Sequence, residues 1–170
     1  MIAGHLAAGM AIKGAVPTAP TWALLIAAVF LDVLNPIFVL TGLERAVIVN
    51  WSHSLAMSLV WAVLFGTLFV WRGRTIALAV GIAVFSHFVL DAILQSAVPL
   101  WPYSSVHIGL DLERILPTGW WFVELALVAG GVFYYWTRAR EQRLLGKTAW
   151  VLAAFVLIVH ILNSPWFSPA

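Results

Sequence analysis

The stretch TIALAVGIAVFSHFVLDAILQSAV, residues 75–98, indicates a membrane protein, because it is long and apolar enough to cross a lipid bilayer. Two ionisable residues, His87 and Asp91, interrupt it four positions apart. On an α-helix this spacing places both side chains on one face, one turn from each other. Ionisable groups inside a membrane are energetically expensive and usually mark functional positions. The stretch therefore predicts a membrane helix that carries a polar site.

The composition of the whole chain indicates an integral membrane protein. Of its 170 residues, 63% are hydrophobic and only 9% are charged, whereas a soluble domain carries about 25% charged residues. Ten tryptophans fit the aromatic belts of a membrane protein. Cysteine is absent, so a metal would need imidazole or carboxylate ligands, which suit zinc, manganese, iron or magnesium. The small net charge of +2 does not indicate nucleic-acid binding.

Five apolar segments predict an all-α bundle of about five transmembrane helices, in a single domain that covers residues 1–170. The predicted spans are residues 21–40, 54–71, 75–98, 120–136 and 148–162. A shorter apolar segment, GHLAAGMAIKGAVP at residues 4–17, precedes them. At about 1.5 Å per residue it would reach only partway across a bilayer, so it predicts a partly inserted helix.

Basic residues predict the orientation of the spans. Two loops, after the second and the fourth span, contain six of them: Arg72, Arg74, Arg138, Arg140, Arg143 and Lys147. The positive-inside rule places these two loops in the cytoplasm. The 41–53 and 99–119 loops mix positive and negative charges, and they would then face outward.

Several of the polar residues that interrupt the apolar segments share one predicted depth. Counted from the turn near residues 17–20, His5 and Asp32 are equally distant along two antiparallel helices. Counted from the turn at residues 72–74, His53 and Asp91 are likewise level, and His87 lies one turn away. Three imidazoles and two carboxylates in one layer form a candidate metal site. Zinc binds such donors, and it makes bound water nucleophilic near neutral pH.

These residues also have structural interpretations. His87 and Asp91 fit a hydrogen-bonded packing pair as well as a ligand pair. A helix kink before Pro36 would free backbone carbonyls, which nearby polar groups such as Asp32 could satisfy. A lone membrane histidine such as His160 is expected to pack through a hydrogen bond, with no functional role.

Several motifs resemble those of a known bacterial family. WSHSLAMSLVWAVLFG (51–66), SHFVLDAI (86–93) and PLWP (99–102) are similar to segments of the bacterial membrane-bound metal-dependent hydrolases. The resemblance begins at GHLAAGMAIK (4–13) and extends to Glu124, which ends a segment similar to that of a related subgroup. It implies a location in the bacterial inner membrane and a catalytic role for Glu124. It also implies five metal ligands: His5, Asp32, His53, His87 and Asp91.

The candidate metal site and the resemblance together predict a metal-dependent hydrolase with its metal site in the outer half of the membrane. It would act on a lipid or lipid-like ester or phosphoester, with membrane lipids as its partners. Zinc is the expected metal, with manganese or iron as alternatives, and Asp32 or Glu124 would serve as general base. The alternative is a non-enzymatic transporter or scaffold in which the buried His and Asp residues bind ions or relay protons. Haem ligation by paired histidines is a third possibility, although it would not require the aspartates.

Overall fold

The computed structural model describes residues 1–44, 50–94, 98–141 and 147–164, and these ranges are mostly helical. The helices are α1 (Ile2–Ala15), α2 (Thr21–Ala28), α3 (Phe30–Leu40), α4 (Asn50–His53), α5 (Leu55–Thr67), α6 (Arg74–Leu94), α7 (Leu112–Ile115), α8 (Gly119–Glu141) and α9 (Lys147–Leu162). A 3-10 turn, Val70–Arg72, precedes α6. Two short antiparallel strands, β1 (Val98–Pro99) and β2 (His107–Ile108), follow it. The predicted all-α class is confirmed, apart from this small hairpin.

Helix α6 contains most of the apolar segment 75–98. Its 21 residues extend about 31 Å at 1.5 Å per residue, which matches a hydrocarbon core about 30 Å thick. By length and composition it is the one helix in the described ranges that could clearly cross a membrane. Helices α2 and α3 pass the same test only when they are taken as one span with a bend of 53°.

The other predicted spans differ from the observed helices. The 54–71 span is the 13-residue α5 followed by the 3-10 turn, and the 148–162 span lies within the 16-residue α9. Both helices are apolar but shorter than the roughly 20 residues that a crossing requires. The 75–98 span is also too long, since α6 ends at Leu94 and Val98 lies in β1. A helical fold is thus shown, whereas the five crossings stay a prediction.

Helix α8 contains the fourth predicted span, and the basic residues lie near the ends of α6 and α8. The predicted 120–136 span lies within α8, whose 23 residues include Glu124 and end in a charged turn. Arg72 and Arg74 lie just before and at the start of α6, and Arg138 and Arg140 lie in the last turn of α8. Arg143 lies outside the described residues. The orientation of these ends in a membrane stays a prediction.

The first predicted span breaks at Val29 rather than at Pro36. Pro36 lies inside α3, whereas Val29 separates α2 from α3 with φ −109° and ψ 11°. Carbonyl groups next to a helix break lose regular helical partners and become available to other donors. The Ala28 carbonyl at this break accepts a hydrogen bond from a histidine of α6.

The partly inserted N-terminal helix is present as α1 and packs inside the bundle. Its Ala3, Ala7 and Met10 are buried in a core cluster shared with α8 and α9. A Cβ atom at Gly131 of α8 would lie only 2.7 Å from the Ala7 carbonyl oxygen, so α1 and α8 approach closely because Gly131 has no side chain. At the other end of α1, Lys13 Nζ donates to backbone oxygens of the turn into α2. The bundle therefore fixes both ends of α1.

Candidate metal centre

The centre is built on α6. His87 and Asp91 lie one turn apart on its inner face, and both side chains are buried. The distance from His87 Nε2 to Asp91 Oδ2 is 3.3 Å. The spacing of four residues therefore places the two groups together, as the sequence predicts.

Three further helices bring one residue each to this pair. Helix α1 contributes His5, whose Nε2 lies 3.3 Å from Asp91 Oδ1. Helix α3 contributes Asp32, whose Oδ1 lies 3.5 Å from His87 Nε2. Helix α4 ends at His53, whose Nε2 lies 3.4 Å from Asp32 Oδ1 and 3.8 Å from Asp91 Oδ2. We call these five residues the His/Asp cluster; their role as metal ligands stays a prediction.

The donor atoms of the cluster form two groups of three that share His87, and each group has separations that suit a small cation. The first group is His5, His87 and Asp91, and the second is Asp32, His53 and His87. Within each group, one donor atom of each residue lies within 4.8 Å of the donor atoms of the other two. Four distances between imidazole Nε2 and carboxylate oxygen atoms measure 3.3–3.8 Å. Neighbouring ligand atoms of a tetrahedral zinc ion, with bonds of about 2.0–2.2 Å, lie about 3.4 Å apart. The residues present therefore fit such an ion.

The tautomer of His87 also favours a cation. Its Nδ1 lies 2.8 Å from the Ala28 carbonyl oxygen, which can only accept, so Nδ1 carries the proton. In a neutral imidazole the lone pair of Nε2 then points at two carboxylates. Within the described residues this buried Nε2 has no hydrogen-bond partner. A lone pair that faces carboxylate oxygens is unfavourable unless a proton or a metal cation lies between them.

His53 is held in a similar way by residues that the sequence analysis did not identify. Its Nδ1 lies 2.7 Å from the hydroxyl of Ser52, and Ser52 in turn contacts the carboxylate of Glu44. A serine next to a histidine gives no specific signal in a sequence. Glu44 is separated from Ser52 by the 45–49 segment, which lies outside the described residues and includes Arg45. Their contact therefore could not be inferred from local spacing.

The cluster is most exposed at Asp32. The side chains of His87, His5 and Asp91 are 5% exposed or less, whereas that of Asp32 is 41% exposed. Water or a substrate would therefore approach from the side of Asp32.

A family model described as "YdjM inner membrane protein" matches residues 1–167, almost the entire chain. This chain belongs to the YdjM inner membrane protein family. No curated protein and no solved structure matches it.

Membership of the YdjM family agrees with the sequence analysis at two levels. The family is named for the inner membrane, which supports the predicted location. It is also consistent with the resemblance to bacterial inner-membrane metal-dependent hydrolases. The match over residues 1–167 includes every member of the His/Asp cluster and Glu124.

Glu124 of α8 and His160 of α9 lie close to each other near the start of α1, which carries His5. Glu124 Oε1 accepts a hydrogen bond of 3.1 Å from the backbone N–H of Gly4, which precedes His5. Its Oε2 lies 3.5 Å from Nδ1 of His160, and both side chains are fully buried. The ring of His160 stacks on Trp121 with 4.4 Å between centroids. A carboxylate is favourable at a helix N-terminus, so the contacts of Glu124 hold α1 in place.

Proposed function

We propose that this protein is a multi-pass inner-membrane hydrolase whose His/Asp cluster binds one divalent metal ion. The proposal is carried by one observation: His53 and His87 are each fixed through Nδ1, so that Nε2 faces the carboxylates of Asp32 and Asp91. Proteins usually orient a metal-ligating histidine through a hydrogen bond to the ring nitrogen that does not bind the metal. Family membership and the location it implies support the proposal.

Zinc is the metal that suits the donor set best. The cluster offers imidazole nitrogen and carboxylate oxygen without thiolate, since the chain contains no cysteine. Zinc accepts this combination at four-coordinate sites, and manganese and iron are alternatives with similar ligands. When bound, such an ion supplies a Lewis acid and lowers the pKa of water.

The residues of the cluster would then have distinct roles. His53, His87 and Asp91 are the ligands, because their donor atoms converge and they lie in the interior. His5 Nε2 lies 3.3 Å from Asp91 Oδ1, whereas His53 and His87 approach Oδ2, so His5 would orient that carboxylate. Asp32, at the exposed side, accepts the proton of the attacking water as general base. Glu124 is an alternative base, although its contacts lie at the start of α1.

The surroundings of Asp32 support a lipid-like substrate. On α3, large apolar residues next to it and one turn further on, Val33 and Ile37, are exposed at 48% and 47%. An exposed apolar surface of this kind is suited to lipid in a membrane and unfavourable in water. A lipid ester or phosphoester could therefore place its polar group at the cluster while its chains remain along α3. In this proposal α2 with α3, α5, α6, α8 and α9 form the five crossings.

Proton or ion relay without hydrolysis is the second candidate. It would place protons between the imidazoles and the carboxylates. The separations of 3.3–3.8 Å are longer than those of charge-assisted hydrogen bonds, which measure about 2.7–2.9 Å. The rings of His5 and His87 also stack with centroids 3.6 Å apart, an arrangement that two imidazolium cations would disfavour. The same stacking leaves no space for a haem between those two rings.

Metal analysis of the purified protein tests the proposal. We expect about one zinc, manganese or iron ion per chain, and we expect His87→Ala to lose it because His87 is central to both groups of donors. His107→Ala is the matched control, since His107 is an exposed histidine of β2. Stoichiometric metal in His87→Ala, or none in the wild-type protein, would overturn the metal centre. Release of fatty acid or headgroup from a panel of bacterial lipids then tests hydrolysis.

A further inference from the structure

The buried carboxylate of Glu44 is connected to His53 through the hydroxyl of Ser52. Glu44 is only 6% exposed, and its Oε1 accepts from the backbone N–H groups of Trp51 and Ser52 at 2.5 and 2.7 Å. The hydroxyl of Ser52 lies 3.1 Å from Oε1 and 3.0 Å from Oε2. Asn35 Nδ2 donates to Oε2 at 3.2 Å. Glu44 therefore joins α3, which carries Asp32, to α4, which carries His53.

This arrangement fixes the direction of the hydrogen bonds. An ionised carboxylate can only accept, so the hydroxyl hydrogen of Ser52 must point to Glu44. The Ser52 oxygen is then free to accept from Nδ1–H of His53, 2.7 Å away. Nδ1 therefore carries the proton in neutral His53. The lone pair of Nε2 faces Asp32 and Asp91.

We propose that Glu44 and Ser52 are positioning residues that select the Nδ1-protonated tautomer of His53 and so prepare it as a metal ligand. The consequence for metal rests on the proposed function, whereas the effect on the tautomer does not. The Ala28 carbonyl does the same for His87. In many metal sites a carboxylate accepts the N–H of the ligand histidine directly. In this chain the hydroxyl of Ser52 lies between the carboxylate of Glu44 and the ring of His53.

The simpler interpretation is that Glu44 only caps the short helix α4. Capping alone would leave the tautomer of His53 independent of the Ser52 hydroxyl. The position of α4 has a further support, because Trp61 Nε1 donates to the Trp51 carbonyl oxygen at 2.9 Å. Removal of one hydroxyl should therefore leave α4 in place, and the two interpretations predict different results for Ser52→Ala.

The test uses the full-length protein in detergent, labelled with ¹⁵N-histidine, and zinc as the probe. We expect Ser52→Ala to lose the preference for Nδ1–H at His53 in NMR spectra of the metal-free protein. We also expect its zinc dissociation constant, measured by chelator competition, to rise about 10- to 100-fold, as for other residues behind a ligand. Ser52→Thr keeps the hydroxyl and should restore both. Glu44→Gln, which no longer acts as a purely accepting group, should weaken zinc binding as well.

Ser58→Ala is the matched control, since Ser58 is equally buried and its hydroxyl has no partner within the described residues. It should keep the wild-type tautomer and zinc affinity. A Ser52→Ala protein that keeps the Nδ1–H tautomer and the wild-type dissociation constant would overturn this inference while the metal centre stands. A wild-type protein that binds no zinc, manganese or iron would overturn the proposed function instead, and the NMR comparison would still decide the role of Ser52.

Discussion

The two aspartates of the cluster differ in their surroundings, and this difference gives a prediction. Asp91 is buried, with Oδ1 beside His5 and Oδ2 beside His53 and His87, whereas Asp32 is partly exposed. We expect Asp91→Asn to weaken metal binding by more than about 100-fold, because the amide carries no charge to balance the ion. We expect Asp32→Asn to retain metal within about 10-fold and to lose hydrolysis, since a general base is removed.

Chelator competition and lipid-release assays on both variants measure these effects. Arg138 and Glu141 form an exposed pair at the end of α8, so Glu141→Gln serves as a control for loss of a carboxylate. If Asp32→Asn lost the metal as completely as Asp91→Asn, Asp32 would be a ligand rather than the base.

At the residue scale the sequence predicted the members of the cluster but not what orients them. The pairing of His87 with Asp91 follows from helix periodicity, and the approach of His5, Asp32 and His53 follows from counting along hairpins. The contact of Glu44 with Ser52 depends instead on the path of the chain between α3 and α4. Hairpin counting gives depth along a helix, and it contains no information about hydrogen bonds across a loop.

At the element scale the close packing of α1 on α8 gives a further prediction. A Cβ at Gly131 would meet the Ala7 carbonyl oxygen at 2.7 Å, so Gly131→Ala must push α1 away from α8 and displace His5. We expect a loss of about 1–3 kcal/mol of stability, typical of overpacking, and weaker metal binding. A scan of thermal unfolding in detergent, with chelator competition, measures both.

The neighbouring glycine provides the control for that substitution. A Cβ at Gly130 would have no atom within 4 Å, so Gly130→Ala should be neutral or should stabilise α8 by up to about 1 kcal/mol. Equal melting temperatures for the two variants would show that α1 does not depend on this contact.

The break in the first predicted span shows where local sequence stops being informative. A proline in a helix favours a kink, yet Pro36 lies inside α3 and the break is at Val29. Residues 21–29 contain no glycine or proline that would favour a break there. The Ala28 carbonyl at the break accepts from His87, 59 positions away in the chain. A contact with α6 therefore contributes to the position of the bend, and such a contact is not visible in a local pattern.

At the scale of the whole molecule, helix length and charge distribution give different amounts of information. The all-α class follows from composition, because an apolar chain must satisfy its backbone hydrogen bonds internally in lipid. The number of crossings does not follow from helix length, since α5 and α9 are shorter than a bilayer is thick. Charge distribution still predicts which end of the bundle is cytoplasmic, through the arginines at the start of α6 and the end of α8.

That orientation can be tested because the chain has no cysteine of its own. Thr75→Cys, exposed at the start of α6, and Ser105→Cys, exposed in the loop between β1 and β2, introduce one thiol each with little change in shape. We expect a membrane-impermeant maleimide to label position 105 in intact cells whose outer membrane has been permeabilised. Position 75 should be labelled only after the inner membrane is opened, because arginine-rich loops are retained in the cytoplasm. Since His87 and Asp91 lie in the half of α6 far from Arg74, this result would place the His/Asp cluster in the outer half of the membrane. Labelling of position 75 from outside would reverse the orientation and place the cluster in the cytoplasmic half, where its lipid substrate would come from the inner leaflet.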